Sequence, residues 1–161
     1  METLLEQLSS AEEDKFKIFS LNGVITYAKM LSNYDGDTAD CLLINNDTFM
    51  RFKVRFYGYD SPEMKPALNI KDRDDIKKKA IEAKKRLWKL STGLDDINEK
   101  YHKKIIKVVC GEFDKYGRLL ITAYDIDLDK ELEFDNSINK KMIDEGYGYA
   151  YYGGTKNLCL K

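Results

Sequence analysis

Met50-Arg51-Phe52-Lys53-Val54-Arg55-Phe56-Tyr57-Gly58-Tyr59-Asp60-Ser61-Pro62-Glu63 is the stretch whose reading decides the fold. In its first half Met50, Phe52, Val54 and Phe56 fall on one face, and Arg51, Lys53 and Arg55 fall on the other. A period of two predicts a strand with one buried face and a basic outer face. The strand runs into a proline-braced turn carrying two carboxylates, Asp60 and Glu63. A cation beside two acids is also the composition of an ordinary surface ion-pair network. The stretch alone therefore leaves its chemistry open.

Upstream, residues 16–21 and 24–31 read as strands joined by Asn22-Gly23, a tight-hairpin signal. The second of them reaches the turn Asn33-Tyr34-Asp35-Gly36-Asp37-Thr38, where Gly accepts positive φ and Asp bonds its own backbone. Residues 39–45 form the next strand, closed by Asn45-Asn46-Asp47-Thr48 ahead of the alternating one. Strands joined by tight turns make a meander. Downstream the period changes. Ile76, Ala80, Ala83, Leu87 and Leu90 recur at helical spacing, broadened by Ile81 and Trp88. Asp72, Asp74 and Asp75 suit the start of that helix, and Ser91-Thr92-Gly93 ends it.

Residues 93–104 are polar and loop-like, and place His102 between charged neighbours, where exposure is expected. Residues 105–110 and 118–124 form a second hairpin around Asp114-Lys115-Tyr116-Gly117. A short helix over 137–145 has Asn136 or Ser137 as its cap and Gly146 as its stop. At the other end, residues 2–15 read as a short amphipathic helix with Leu4, Leu5 and Leu8 on one side. Three strands, a helix, two strands and a helix suit a mainly β fold with helices: a small closed five-stranded barrel, which leaves no exposed edge.

A chain of 161 residues with 43% hydrophobic content is one folded unit by size. No apolar run has the length of a membrane span, and no basic-then-apolar leader opens the sequence. An intracellular, cytoplasmic location is expected. Cys41, Cys110 and Cys159 lack metal-type spacing, so reduced thiols are expected, with Cys41 and Cys110 as packing residues. The net charge of −1 does not advertise a polyanion binder, but ten basic and four acidic residues lie between 65 and 89. That basic helix is either a solvated face or a surface for a polyanion.

In order, Asp35-Gly36-Asp37-Thr38, then Arg55 five residues before Asp60-Ser61-Pro62-Glu63, then Asp114-Lys115-Tyr116-Gly117-Arg118 resemble the staphylococcal nuclease (thermonuclease) family. The likeness spans residues 24–156, within a domain read as 24–161 behind an N-terminal extension of 1–23. It departs from the family pattern where Ser61 replaces the usual threonine, and it has no counterpart of the family's C-terminal helix. The resemblance implies an OB-fold barrel and a calcium-dependent nuclease that cuts DNA and RNA with little sequence preference and leaves 3′-phosphate ends.

Phosphodiester hydrolysis needs a water brought to an anion and stabilisation of the charge that accumulates. A hard cation held by oxygens supplies part of this. Asp37 and Asp60 offer two carboxylates from separate turns, and a turn carbonyl such as that of Ser61 a third oxygen. The resemblance implies that these three positions hold calcium, with magnesium or another divalent ion as the alternative. Arginine forks match phosphate oxygens, and Arg55 and Arg118 stand at the two matching positions. Glu63 remains to take a proton from the attacking water or to orient it.

The resemblance also implies that Lys115 and Tyr116 contact a terminal phosphate, and that Tyr152, or Tyr151 beside it, contacts the nucleotide. Tyr147, Tyr149, Tyr151 and Tyr152 offer a base-stacking face or, alternatively, a cover for the barrel end. The expected partner is single-stranded or locally open DNA or RNA, with no membrane. The competing expectation is a non-catalytic OB-fold nucleic-acid-binding or scaffold module.

Overall fold

A computed structural model of the chain describes residues 1–152; Cys159 and residues 153–156 at the end of the aromatic run lie outside the described residues. In chain order the elements are α1 (Leu4–Ser9), β1 (Ile25–Asn33), β2 (Thr38–Asn45), β3 (Thr48–Phe56), β4 (Tyr59–Asp60), α2 (Arg73–Thr92), β5 (Ile106–Phe113), β6 (Leu119–Asp125), α3 (Ile138–Asp144) and β7 (Tyr149–Ala150). Short 3-10 turns occupy Glu13–Lys15 and Phe134–Asn136. Five strands close into a barrel in the order β1-β2-β3-β6-β5, with β5 returning to pair with β1. Every pairing in it is antiparallel except β3 with β6, which is parallel. This is an α+β, OB-like barrel, with the one long helix following β3 as its sequence predicts.

The alternation in β3 sets the inside and outside of the barrel. Val54 and Phe56 are fully buried, while Arg51 and Lys53 are exposed. Met30, Cys41, Leu43, Ile106, Val108, Leu119 and Ile121 join them in one core cluster. Each such buried side chain contributes about 1.5–3 kcal/mol by leaving water. Burial pushes the Cys41 thiol up to about 12 and the Cys110 thiol up to about 11, as befits inert packing residues. The inner face of α2 adds Ala80, Ala83, Leu87 and Trp88, all fully buried, whereas Ile81 is exposed and does not widen that stripe. Gly93, with φ of +79°, ends the helix and donates its N–H to the Lys89 carbonyl. Among the described residues no helix is long and apolar enough to cross a membrane.

Three expectations are corrected. Residues 16–21 do not form a strand: β1, the partner their hairpin would need, pairs instead with β2 and β5. The segment meets the barrel at Leu21, which is buried, at Gly23, whose N–H donates to the Cys110 carbonyl at 2.8 Å, at Ser20, whose hydroxyl donates to Glu112 at 3.2 Å, and at Phe19, whose ring lies against Phe113. The amphipathic helix shrinks to Leu4–Ser9, and Leu4, Leu5 and Leu8 are 82%, 78% and 73% exposed. His102 is not exposed but buried at 6%. Its Nδ1 accepts the Lys104 N–H at 3.2 Å, so Nε2 carries the proton and donates to the Met30 carbonyl at 2.6 Å, with the ring edge-on to Trp88.

One tie was not read from sequence. Asn139 on α3 is fully buried. Its Oδ1 accepts the Ala123 N–H at 2.9 Å, and its Nδ2 donates to the Tyr57 carbonyl at 2.8 Å and the Ile121 carbonyl at 3.0 Å. One amide thereby satisfies backbone groups of β6 and of the segment leaving β3. Asn139→Ala takes their partner from the Ala123 N–H and the Tyr57 carbonyl and is expected to lower the unfolding free energy by about 3 kcal/mol, readable from the midpoint of urea denaturation.

Candidate functional site

The register of β2 on β3 assembles the site. Thr38 pairs with Arg55, so the turn before β2 lies across from the end of β3. Asp35 shapes that turn: its Oδ1 accepts the N–H groups of Asp37 at 2.9 Å and Thr38 at 2.8 Å. Gly36 is needed for contact and not for a left-handed backbone: its φ is not positive, contrary to the expectation for this turn. A Cβ there would meet the Cβ of Ser61 at 2.7 Å and that of Ala83 at 2.8 Å, well inside ordinary van der Waals distance. The Tyr59 hydroxyl, from beneath, donates to the Gly36 carbonyl at 2.6 Å. The turn is therefore clamped between α2, β4 and the Ser61 backbone.

Asp37, Arg55, Asp60 and Ser61 come together on this clamp. An Arg55 guanidinium nitrogen lies 2.6 Å from Asp37 Oδ2, and its other terminal nitrogen pairs with Asp60. The side chains are 12% exposed for Arg55 and 9% for each acid, so the triad is largely withdrawn from water. The Ser61 N–H donates to Asp37 Oδ2 at 2.8 Å, and the Thr38 hydroxyl donates to Asp37 Oδ1 at 3.0 Å. Burial works against the Asp37 carboxylate, but the Arg55 charge and these hydrogen bonds outweigh it and hold the carboxyl below its usual range. Asp35 goes the other way. Burial and the neighbouring Asp37 charge push it up to about 6.

Beside the triad lies a second group of candidates. The parallel pairing of Val54 with Leu119 and of Arg55 with Leu120 brings Arg118 alongside β3. Asp114 fixes the hairpin that carries it: Oδ1 accepts the N–H groups of Tyr116 and Arg118, each at 2.9 Å, and Oδ2 accepts Arg118 Nε at 2.7 Å. Lys115 Nζ and the Arg118 guanidinium lie over the Tyr116 ring, 5.1 and 5.2 Å from its centre. From the opposite side come the tyrosines. The two-residue ladder of β4 with β7 and the Tyr151 N–H bond to the Gly58 carbonyl, at 2.9 Å, seat Tyr151 and Tyr152 next to the end of β3. Tyr152 then packs on Tyr57 and Phe134 at 5.8 and 5.9 Å between ring centres. Arg55, Lys115, Tyr116, Arg118, Tyr151 and Tyr152 all line one cleft of about 230 Å³.

Glu63 is the exception. It lies two residues beyond Ser61, on the loop leading to α2, and its side chain is exposed. No hydrogen bond or ion pair among the described residues ties it to the triad. Tyr59 is a site residue to which the sequence assigned no role, and Asp35 and Gly36 were read only as turn residues. The Asp-x-Asp spacing was the available signal for Asp35. Tyr59 gave none, because its contact with Gly36 is long-range.

The donor set around Asp37 and Asp60 is all oxygen, with no thiol or imidazole in it, and the buried Ser61 hydroxyl has no hydrogen-bond partner. That chemistry fits a hard divalent cation such as calcium or magnesium. Among the described residues there is, however, no grouping of three or more acidic, histidine or cysteine side chains ready to hold a metal. Arg55 sits between the two carboxylates, so a cation would share their oxygens with the guanidinium or displace one of its contacts. No protein-family model matches the chain, and no curated protein matches its sequence.

Two outcomes are expected. Arg55→Ala removes the guanidinium charge that two buried carboxylates share and is expected to lower the unfolding free energy by about 3–5 kcal/mol. Calcium should then raise the melting temperature of the variant more than that of the wild type, a difference calorimetry reads directly. At Asp114, burial raises the pKa, but the bonds from the Arg118 backbone and side chain and from the Tyr116 N–H lower it further, for a net depression. Its stabilisation is complete above the unfolded-chain value of about 3.9 and is lost as pH falls through the lower folded value. An NMR titration of the Arg118 Nε–H should show a midpoint below about 3.9.

Proposed function

We propose that this chain is a metal-dependent nuclease that hydrolyses phosphodiester bonds of DNA and RNA with little sequence preference and leaves 3′-phosphate ends. One observation carries the reading. Two arginines, a lysine and four tyrosines from three separate segments line a single cleft, and that cleft adjoins a buried pair of carboxylates through Arg55. Guanidinium groups suit phosphate oxygens, and tyrosine faces accept any base. The cleft asks for an anion with flat rings attached.

Asp37, Asp60 and Ser61 would hold the divalent ion, which when bound acts as a Lewis acid on a phosphate oxygen. Arg55 reaches the cleft from its place between the two acids and presents donors to the phosphate. Arg118, held in orientation by Asp114, presents a second set. Positive charge on both sides of the phosphate favours the extra negative charge of the five-coordinate transition state over the ground state. Glu63, exposed and unpaired among the described residues, is free to swing toward an attacking water and accept its proton or orient it. Tyr116 and Lys115 would flank a terminal phosphate, and Tyr151 and Tyr152 the base.

The second reading is a non-catalytic OB-fold module that binds nucleic acid. It is favoured by Arg55 filling the gap between the carboxylates, the position a metal would contest. End-labelled single-stranded DNA and RNA, incubated with the protein in calcium, magnesium or chelator, separate the two. The nuclease cuts in a divalent ion, stops in chelator and leaves 3′-phosphate ends. Glu63→Gln is expected to slow cutting about 10²–10⁴-fold and Arg118→Ala about 10²–10³-fold. Binding without cutting under every ion would overturn the nuclease in favour of the module.

A further inference from the structure

Arg118 belongs to two cavities. Besides the aromatic cleft, it lines a groove of about 590 Å³ together with Tyr34, Asp35, Asp40, Lys53 and Lys84. The charge available in that groove is positive. Its two acids are already engaged, Asp35 by the N–H groups of its own turn and Asp40 by Arg51 at 2.7 Å. Lys53 and Lys84 make no ion pair among the described residues. Tyr34, at the lip, is 61% exposed, and its backbone rather than its ring is tied down, by an N–H bond to the Thr38 carbonyl at 2.9 Å.

The spacing along β3 is that of a polyanion track. Lys53 and Arg55 point to the same side of the strand, two residues and therefore roughly 6.7 Å apart. That is close to the separation of neighbouring phosphates in an extended nucleic-acid strand. Arg118 stands beside them across the parallel β3–β6 pairing, where Val54 faces Leu119. A strand held at Arg55 and Arg118 can therefore continue over Lys53 toward Lys84, with Tyr34 offering a ring face to a base. Of the many cations on α2, Lys84 is the one that lines this groove.

We infer that the groove of Tyr34, Lys53 and Lys84 is a second nucleic-acid subsite, taking the phosphodiester backbone and one base of the strand on the far side of Arg118 from the aromatic cleft. The inference rests on the nucleic-acid reading above and adds the direction in which the strand runs. The scissile bond then lies inside a bound strand rather than at its end. Internal cutting of long single strands follows.

The test is fluorescence anisotropy in chelator, so that binding is read without cleavage. The probes are a labelled oligothymidylate of roughly a dozen nucleotides, within the range OB barrels cover, and a 5′-phosphorylated dithymidylate short enough to fill the aromatic cleft alone. Lys53→Ala/Lys84→Ala should weaken the long probe several-fold more than the short one, and flatten the log–log salt dependence of the long probe by about 1.4, at about 0.7 per phosphate contact. Tyr34→Ala should weaken the long probe at least about fivefold through lost stacking. Both variants change exposed or half-exposed side chains, and the Lys84 carbonyl that accepts Asn33 is backbone, so the fold is kept. Equal weakening of both probes, or an unchanged salt slope for the long one, overturns the subsite while leaving the nucleic-acid reading in place. Failure of the wild type to bind either probe overturns both.

Discussion

A guanidinium buried between two carboxylates is the interaction on which this molecule turns. Arg55 leaves β3 on its outer, basic face, yet its charge is nearly out of water because Asp37 and Asp60 close over it. Such a triad is tolerated only when hydrogen bonds satisfy the remaining lone pairs. The Ser61 N–H, the Thr38 hydroxyl and the Tyr59 carbonyl, which accepts from Arg55, provide them, and they come from different parts of the chain. Placing Arg55 thus requires the β1–β2 turn, the end of β3 and β4 all to be in position. The same demand makes the triad a sensitive spot, since losing one member unbalances the buried charge of the others.

Barrel closure does the rest of the positioning. With both edges of every barrel strand paired, the chain has few ways to add structure, and what it adds lies at the barrel ends and on its outer surface. The two-residue ladder between β4 and β7 is such an addition. It brings the tyrosines after α3 back to the segment carrying Asp60. The parallel β3–β6 contact is the other decisive pairing, because it sets Arg118 beside β3. The aromatic cleft and the Lys53–Lys84 groove are consequences of these two pairings, and they meet at one arginine. Packing that looks structural is therefore what gives the surface its chemistry.

The N-terminal segment shows the same constraint from outside. Phe16, Ile18 and Phe19 are 67%, 96% and 62% exposed although their spacing looks like that of a strand. Apolar residues do not make a strand without a free edge to pair with, and a closed barrel offers none. Only Leu21, two residues before the Gly23 turn, finds the core.

The sequence by itself determined the period-two face of β3, the helical stripe of α2, the turns at Gly93 and Gly117, and hence the order of strands and helices of a small barrel. These are local properties, set by alternation, spacing and backbone freedom within a few residues. It also marked Asp37, Arg55, Asp60, Ser61, Arg118 and the tyrosines as candidates. Only the tertiary structure decided which of them meet. Arg55 lies between the acids, Arg118 is held by Asp114, Tyr151 and Tyr152 are carried into the cleft by β7, and Glu63 stands apart on its loop. Burial of His102 and the triple hydrogen bonding of Asn139 belong to the same class. These last two depend on contacts between residues 16 or more positions apart, His102 with Met30 and Asn139 with Ala123. No periodicity reports such contacts, because they exist only once the strands have paired and the barrel has closed.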